Sequence, residues 1–436
     1  MNLRGGMASY LLKNGRVLDP SQGLDAPLDL RIRNGHIAEM APQLTAEAGE
    51  TVIDCTDCWV APGLVDIHVH LREPGQDYKE TLQSGGEAAL AGGFTTLCCM
   101  PNTEPPLDSP ARVRELLQRA AQATPCRVYV VAALTQSMRG EQLCDYEGLQ
   151  RAGAVAVSDD AFPIQSAVVM RRAMRACAAV GLPVLTHCEE QSLTEGASMH
   201  EGGVSALLGL RGMPASAEAI PIARNALLAL ETGCHLHIQH LSTALGLALI
   251  RFFRERGATL TTEVTPHHLL LTHHACEGFD THAKMNPPLR TQTDVDALSE
   301  GLIRGDIDCI ATDHAPHARF EKEQPFESAP FGVVGLETAL SCILKWNRER
   351  GEPLTPLELI ARLSTRPAQL LGLPAGSLQR GAPADVVVID PSAHWEVVPE
   401  RFRSMGRSTP FAGWQLPGRV RHVFVGGERV AAATDS

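Results

Sequence analysis

Two histidines spaced one residue apart, His68 and His70 in VDIHVHLRE, are the first residues whose type and spacing could do chemistry. In an extended strand, side chains at i and i+2 leave the same face, so both imidazoles can reach one cation. Ligand-type residues then recur wherever a short apolar run ends: Asp159 and Asp160 close GAVAVSDD, His187 closes PVLTH, His240 closes LHIQH and Asp313 closes CIATD. Any one of them could be a helix cap or a hydrogen-bonded core histidine. Their recurrence at the ends of successive runs points to a metal centre. Four histidines and two carboxylates exceed what one tetrahedral Zn2+ can use. The set suits two Zn2+ ions per subunit, with His68, His70 and Asp313 around the more buried ion and His187 and His240 around the second. Asp160 and a hydroxide would bridge them. Mn2+ or Co2+ accept the same ligand types.

The runs that carry these residues set the architecture. Strands are expected at Val65–His70, Thr95–Met100, Val128–Ala133, Ala154–Ser158, Pro183–His187, His235–His240, Thr259–Val264 and Cys309–Asp313. Amphipathic stretches such as Ala111–Ala121, Val168–Val180, Ala217–Thr232 and Leu245–Arg256 lie between them. This alternation predicts an α/β fold, a (β/α)8 TIM-like barrel over residues 61–369, whose sites collect at the C-terminal ends of its strands. No GxGxxG turn follows any strand, which argues against an open doubly wound sheet. Residues 1–60 and 370–436 break the rhythm with short β runs and NG or GG turns, as in DLRIRNGHIAEM and RHVFVGGERV. They are expected to form one small flanking β-sandwich domain built from both chain ends.

Composition narrows the function. Across 436 residues, 38 basic against 50 acidic side chains give a net charge of −12, so a nucleic-acid partner is not expected. No apolar run approaches the ~18–20 residues of a membrane span, and MNLRGGMASY lacks the apolar core of an export signal. Either Met1 or Met7 could start the chain. Twelve scattered cysteines then read as reduced thiols in a cytoplasmic protein, with the isolated Cys55–Cys58 pair taken as packing. An anionic small-molecule substrate would need local cations in so acidic a chain. Arg72, two residues beyond His70, offers a guanidinium suited to a carboxylate.

VDIHVHLRE, the strand-end histidines and TDHAPH together resemble the amidohydrolase superfamily. Within it, MPNT at Met100–Thr103, THCEE at Thr186–Glu190, KMNPPLR at Lys284–Arg290 and PFGVVGLE resemble dihydroorotases of the long bacterial type (class I), over the whole chain. The resemblance implies zinc-dependent, reversible cyclisation of N-carbamoyl-L-aspartate to L-dihydroorotate in de novo pyrimidine biosynthesis. It implies that Asp313 is both a ligand and the catalytic proton shuttle. Substrate contacts are implied for His70, Arg72, Asn102, Asn286, His317 and the backbone at Phe331 and Gly332, although Asn102 and Asn286 by themselves read as turn residues. A homodimer is expected, and association with aspartate transcarbamoylase stays open.

Hydantoinases and allantoinases are the enzymatic alternative, and many bridge their metals with a carboxylated lysine on the fourth strand. No lysine occurs between Lys79 and Lys284, so Asp160 takes that place. A non-catalytic scaffold for aspartate transcarbamoylase is the other alternative, against which all six ligand positions are filled. His267 and His268 are expected as packing or supporting groups, His235 and His237 as lying deeper than the ligands, and Cys98, Cys99, Cys188 and Cys309 as core. Residues 317–330 fit either a loop over the site or a solvated connection.

Overall fold

The computed structural model describes residues 8–432; Met1 and Met7, the alternative starts, lie outside the described residues. The chain first lays down β1 (Ser9–Asp19), β2 (Leu24–Arg33), β3 (His36–Ala41), β4 (Glu50–Asp54) and β5 (Trp59–Pro62). It then enters β6 (Leu64–Val69), β7 (Phe94–Cys99), β8 (Arg127–Ala133), β9 (Ala154–Ser158) and β10 (Val184–Thr186). A short pair, β11 (Met199–His200) and β12 (Gly212–Met213), stands apart before β13 (Leu236–Ile238), β14 (Leu260–Val264) and β15 (Cys309–Ile310). The chain closes with β16 (Val386–Glu396), β17 (Gln415–Val425) and β18 (Glu428–Ala432).

Strands β6 to β10 and β13 to β15 form one parallel sheet of eight in chain order. The ring closes where Val69 bridges His314 and the His70 N–H donates to the His314 carbonyl at 2.8 Å. The buried Asp66 carboxylate reinforces the seam by accepting from the Thr312 N–H at 3.2 Å. This is the expected barrel. Helices cover it where the apolar periodicity predicts them. The helix Ala167–Val180 starts at Ser166, whose hydroxyl accepts from the Val169 N–H, and stops at Gly181 with φ 75°. Its buried Met170, Ala173, Met174 and Cys177 recur at helical spacing.

Strands β1 to β5 and β16 to β18 of the two chain ends make a second sheet of eight. On one edge β1 pairs with β4 over Ser9–Lys13 and with β5 over Arg16–Val17, so the sheet branches there. Its interior draws Leu12, Val17, Leu30, Ile37, Val60, Val386, Val388 and Phe424 from both ends.

The barrel strands stop short of the apolar runs that predict them. Strand β10 ends at Thr186, β13 at Ile238 and β15 at Ile310. His187, His240 and Asp313 therefore follow one, two and three residues after a strand end. Arg72, His240 and Asp313 adopt left-handed backbone, with φ of 62°, 31° and 49°. Such conformations cost side-chain-bearing residues on the order of 1–3 kcal/mol and persist where surroundings enforce them. Among the described residues, no helix is long and apolar enough to cross a membrane.

The two sheets are joined by Arg127, whose guanidinium grips Asp385 bidentately through Nε at 2.5 Å and Nη2 at 3.0 Å. Asp385 also accepts from the Gly426 N–H at 2.7 Å. Asp385→Ala strands both donors and is expected to destabilise the fold by roughly 2–3 kcal/mol. An unchanged thermal midpoint would show that this pair does not brace the two sheets.

Candidate metal centre

The six expected ligands converge at the C-terminal rim of the barrel, each less than a tenth exposed. Asp160 stands at the middle. Its Oδ2 lies 3.3 Å from Nε2 of both His68 and His70. Its Oδ1 lies 3.4 Å from His187 Nδ1 and 3.6 Å from His240 Nε2. Asp313 Oδ1 stands 3.2 Å from His70 Nε2 and 3.5 Å from His68 Nε2. One carboxylate thus presents a different oxygen to each pair of imidazoles. Asp159, the other acid of that strand end, points elsewhere: it accepts the N–H groups of Leu134 and Thr135 at 2.8 and 3.0 Å.

These residues fit divalent cations. His187 Nδ1 and His240 Nε2 face each other at 2.9 Å. Asp160 Oδ1 is buried without a hydrogen-bond partner. Donor atoms of His68, His70 and Asp313, and of His68, Asp160 and His240, fall within 4.8 Å of one another. Burial works against the charge on Asp160, yet the surrounding imidazoles of His187, His240, His68 and His70 hold its carboxyl well below the usual range. Burial likewise opposes the His187 charge, but Asp160 and Glu189 push its pKa up to about 10. Protons here occupy places that cations compete for.

The second nitrogens of three ligands are also held. His70 Nδ1 meets Asn102 Oδ1 at 2.8 Å, His187 Nε2 meets Glu189 Oε2 at 2.9 Å, and His68 Nδ1 meets Glu263 Oε1 at 2.5 Å. Glu189 is fixed in turn by the Asn286 amide at 2.7 Å and by the Thr194 hydroxyl. Asn102, expected beside substrate, thus also stands directly behind His70, and Asn286 stands behind Glu189. Sequence reasoning missed Glu189 and Glu263. The signal for Glu189 was its i+2 spacing from His187 in THCEE, and for Glu263 a carboxylate inside an otherwise buried strand.

Arg72 is 7% exposed, and among the described residues it forms no ion pair. Its Nε donates to the Pro316 carbonyl at 3.0 Å. His317 Nε2 donates to the Phe331 carbonyl at 2.8 Å, and burial beside Arg72, Lys79 and Lys322 pushes its pKa down to about 2. Gly332 has φ 133°, and a Cβ there would lie 2.7 Å from the Ala315 carbonyl oxygen and 3.0 Å from His317 Nε2, so only glycine fits. Its N–H donates to the Lys284 carbonyl at 3.0 Å.

Residues 317–330 expose about half of their side chains, and two buried lysines tie the segment down from beneath. Lys284 Nζ donates to the carbonyls of Phe326 at 2.6 Å and Ala329 at 2.7 Å, and Lys322 Nζ to those of Pro330 and Gly332, both at 3.0 Å. Neither lysine's role is visible from spacing. His268 packs as expected, between the Thr265 hydroxyl at 2.8 Å and the Pro287 carbonyl at 3.1 Å. All twelve cysteines are free, and burial pushes the Cys188 thiol up to about 12, consistent with core.

A family described as dihydro-orotase-like matches residues 59–245. The chain is 47% identical over 421 residues to the dihydroorotase of Anaeromyxobacter dehalogenans, covering 96% of this chain and 97% of that protein. It belongs to the dihydroorotase family. The dihydroorotase of Pelobacter propionicus is 46% identical over 422 residues, covering 97% and 99% of the two chains. Among solved structures, an L-hydantoinase from Arthrobacter aurescens superimposes with a TM-score of 0.88 at 26% identity, covering 98% of this chain and 96% of that one. A dihydropyrimidinase from Brevibacillus agri shares the fold, with a TM-score of 0.85 at 22% identity and coverage of 97% and 95%.

Asp160→Ala removes the oxygen that each imidazole pair faces. It is expected to lower the divalent metal retained per chain after dialysis, read by elemental analysis, with an unchanged circular dichroism spectrum. Undiminished metal content would take Asp160 out of the ligand set.

Proposed function

We propose that this chain is a dihydroorotase, interconverting N-carbamoyl-L-aspartate and L-dihydroorotate in de novo pyrimidine biosynthesis. The observation that carries this reading is a lysine-free bridge position. Asp160, a plain carboxylate, stands among four imidazoles in a member of the dihydroorotase family, beside a buried arginine that has no ion-pair partner among the described residues. His68, His70 and Asp313 would hold one ion, His187 and His240 the other, and Asp160 both. Imidazole with carboxylate favours Zn2+, and two such ions supply Lewis acidity and an ionised water at neutral pH.

The chain's own residues do the rest. Arg72 binds the substrate carboxylate that takes no part in the reaction, its guanidinium already aimed by Pro316. His317 stays neutral and lends shape to the pocket without adding charge. Its bond to Phe331 and the glycine-only turn at Gly332 set the wall against which the ring lies. Asn102 and Asn286 stand behind His70 and Glu189, within reach of both ligands and substrate. Burial raises the pKa of Asp313, but the charge of His68 and the bond and charge of His70 outweigh it and keep the carboxylate ionised. Asp313 therefore accepts the proton of the attacking water and delivers it to the departing ring nitrogen. In the biosynthetic direction the same carboxylate takes the proton from the carbamoyl nitrogen.

A hydantoinase-like cyclic amidase has the fold in its favour, given the TM-score of 0.88. Against it stand the missing bridge lysine and the much higher identity to dihydroorotases. Metal-replete protein assayed on dihydroorotate, carbamoyl aspartate, hydantoin and allantoin decides between them. Preferential turnover of hydantoin or allantoin would overturn the proposal, and turnover of none would favour a scaffold for aspartate transcarbamoylase. Asp313→Asn is expected to lower kcat by on the order of 10²–10⁴-fold while the fold is kept; near-normal rates would remove it as the shuttle. Arg72→Met is expected to raise KM by roughly 10–100-fold, the worth of charged hydrogen bonds, with a smaller effect on kcat. An unchanged KM would refute the clamp.

A further inference from the structure

The barrel interior is apolar on most strands. Val65 and Ile67 of β6, Cys98 of β7, Val131 of β8, Ala156 of β9, Leu185 of β10 and Cys309 of β15 form one buried cluster. Strands β13 and β14 contribute nothing to it. In their place runs a line of polar side chains, because His237 is paired in register with Thr261 and each is followed or preceded at i±2 by another polar group.

The line begins at the metal centre. His68 Nδ1 lies 2.5 Å from Glu263 Oε1, and that oxygen also accepts the His240 N–H at 3.1 Å. Glu263 Oε2 lies 3.1 Å from His237 Nε2. His237 Nδ1 lies 2.9 Å from the Thr261 hydroxyl, which lies 2.8 Å from His235 Nε2. His237 and Glu263 are fully buried. His235 is partly exposed and lines a cavity of about 480 Å³ beside Pro183 and Gly233, at the strand starts opposite the metal centre.

Donor and acceptor accounting gives the line one direction. An ionised Glu263 can only accept, so His68 Nδ1 and His237 Nε2 must both carry protons. With a single proton on His237, its Nδ1 accepts from the Thr261 hydroxyl, and the Thr261 oxygen accepts from His235 Nε2–H. Every bond donates toward Glu263. The consequence at the far end is that His68 Nε2 is left with its lone pair, the state a cation requires.

We propose that Glu263, His237 and Thr261 are positioning residues that lock the ligating tautomer of His68, anchored from the opposite mouth of the barrel by His235. Glu263 couples both ion positions, since it orients the ring of His68 and pins the backbone of His240, whose φ is 31°. The inference rests on the metal-dependent reading of the site. A glutamine at 263 cannot serve both neighbours in these tautomers. With its amide nitrogen toward His68, Nδ1 would have to accept and Nε2 would carry the proton; with it toward His237, the whole line would have to reverse.

The test is Zn2+ titration of metal-stripped protein against a chromophoric chelator, with circular dichroism as the check on folding. Glu263→Gln is expected to weaken Zn2+ binding by ~10–100-fold. Thr261→Val keeps the shape without the hydroxyl and is expected to weaken it roughly 2–10-fold, one neutral hydrogen bond, whereas Thr261→Ser restores it. If Glu263→Gln does not fold, the Thr261 pair carries the test alone. Wild-type protein that binds no Zn2+ would overturn the metal reading itself. Wild-type binding with equal affinity in Glu263→Gln and Thr261→Val would overturn the relay. Weak binding in Thr261→Ser as well as Thr261→Val would assign the loss to packing, and also overturn it.

Discussion

A single carboxylate, Asp160, buried among four imidazoles, is the interaction around which the rest of this molecule is arranged. A lone buried carboxylate is expensive, and four buried imidazoles facing one another are no better. Placed together they pay for one another in charge and leave a cluster whose protons divalent ions can displace. Aspartate is short, so both imidazole pairs must come to it. That requirement explains why His187, His240 and Asp313 sit past their strand ends, where the backbone can turn inward.

The turning is costly, and the structure shows what opposes the cost. His240 is pinned by Glu263 through its N–H, and the segment before Asp313 by Asp66 through the Thr312 N–H. Arg72, also left-handed, is anchored by the Pro316 carbonyl. In each case a buried polar group on a neighbouring strand or loop supports an unfavourable φ, so the strain is borne by the closed ring of strands rather than by local sequence. The same logic extends to the wall of the pocket. Two buried ammonium groups, Lys284 and Lys322, gather carbonyls of a segment that has almost no regular structure of its own.

Behind the clustered imidazoles lies a layer of acids and amides, and it differs in character between His187 and His68. Glu189 and Asn286, both partly exposed, support His187. Glu263 supports His68 from within the barrel and is fully buried.

The barrel rhythm, the family and the convergence of His68, His70, Asp160, His187, His240 and Asp313 at one rim were legible in the chain itself, because they rest on local regularities. Strand and helix periods and an HxH pair are written in neighbouring residues, and ligands at strand ends need only the direction of each strand. What those residues touch on their far side was not legible. Glu263 finds His68 across 195 positions, and Arg72 meets Pro316 across 244. Asn102 and Asn286 by themselves read as turn residues until folding set one behind the His70 imidazole and the other behind Glu189. The carbonyls that gather around Lys284 and Lys322 come from residues 326–332, a grouping that no spacing announces. Sequence thus determined which side chains could bind and where along each element they stand. Only ring closure decided which nitrogen each histidine presents, because tautomer and orientation are set by partners that meet when distant strands share one interior.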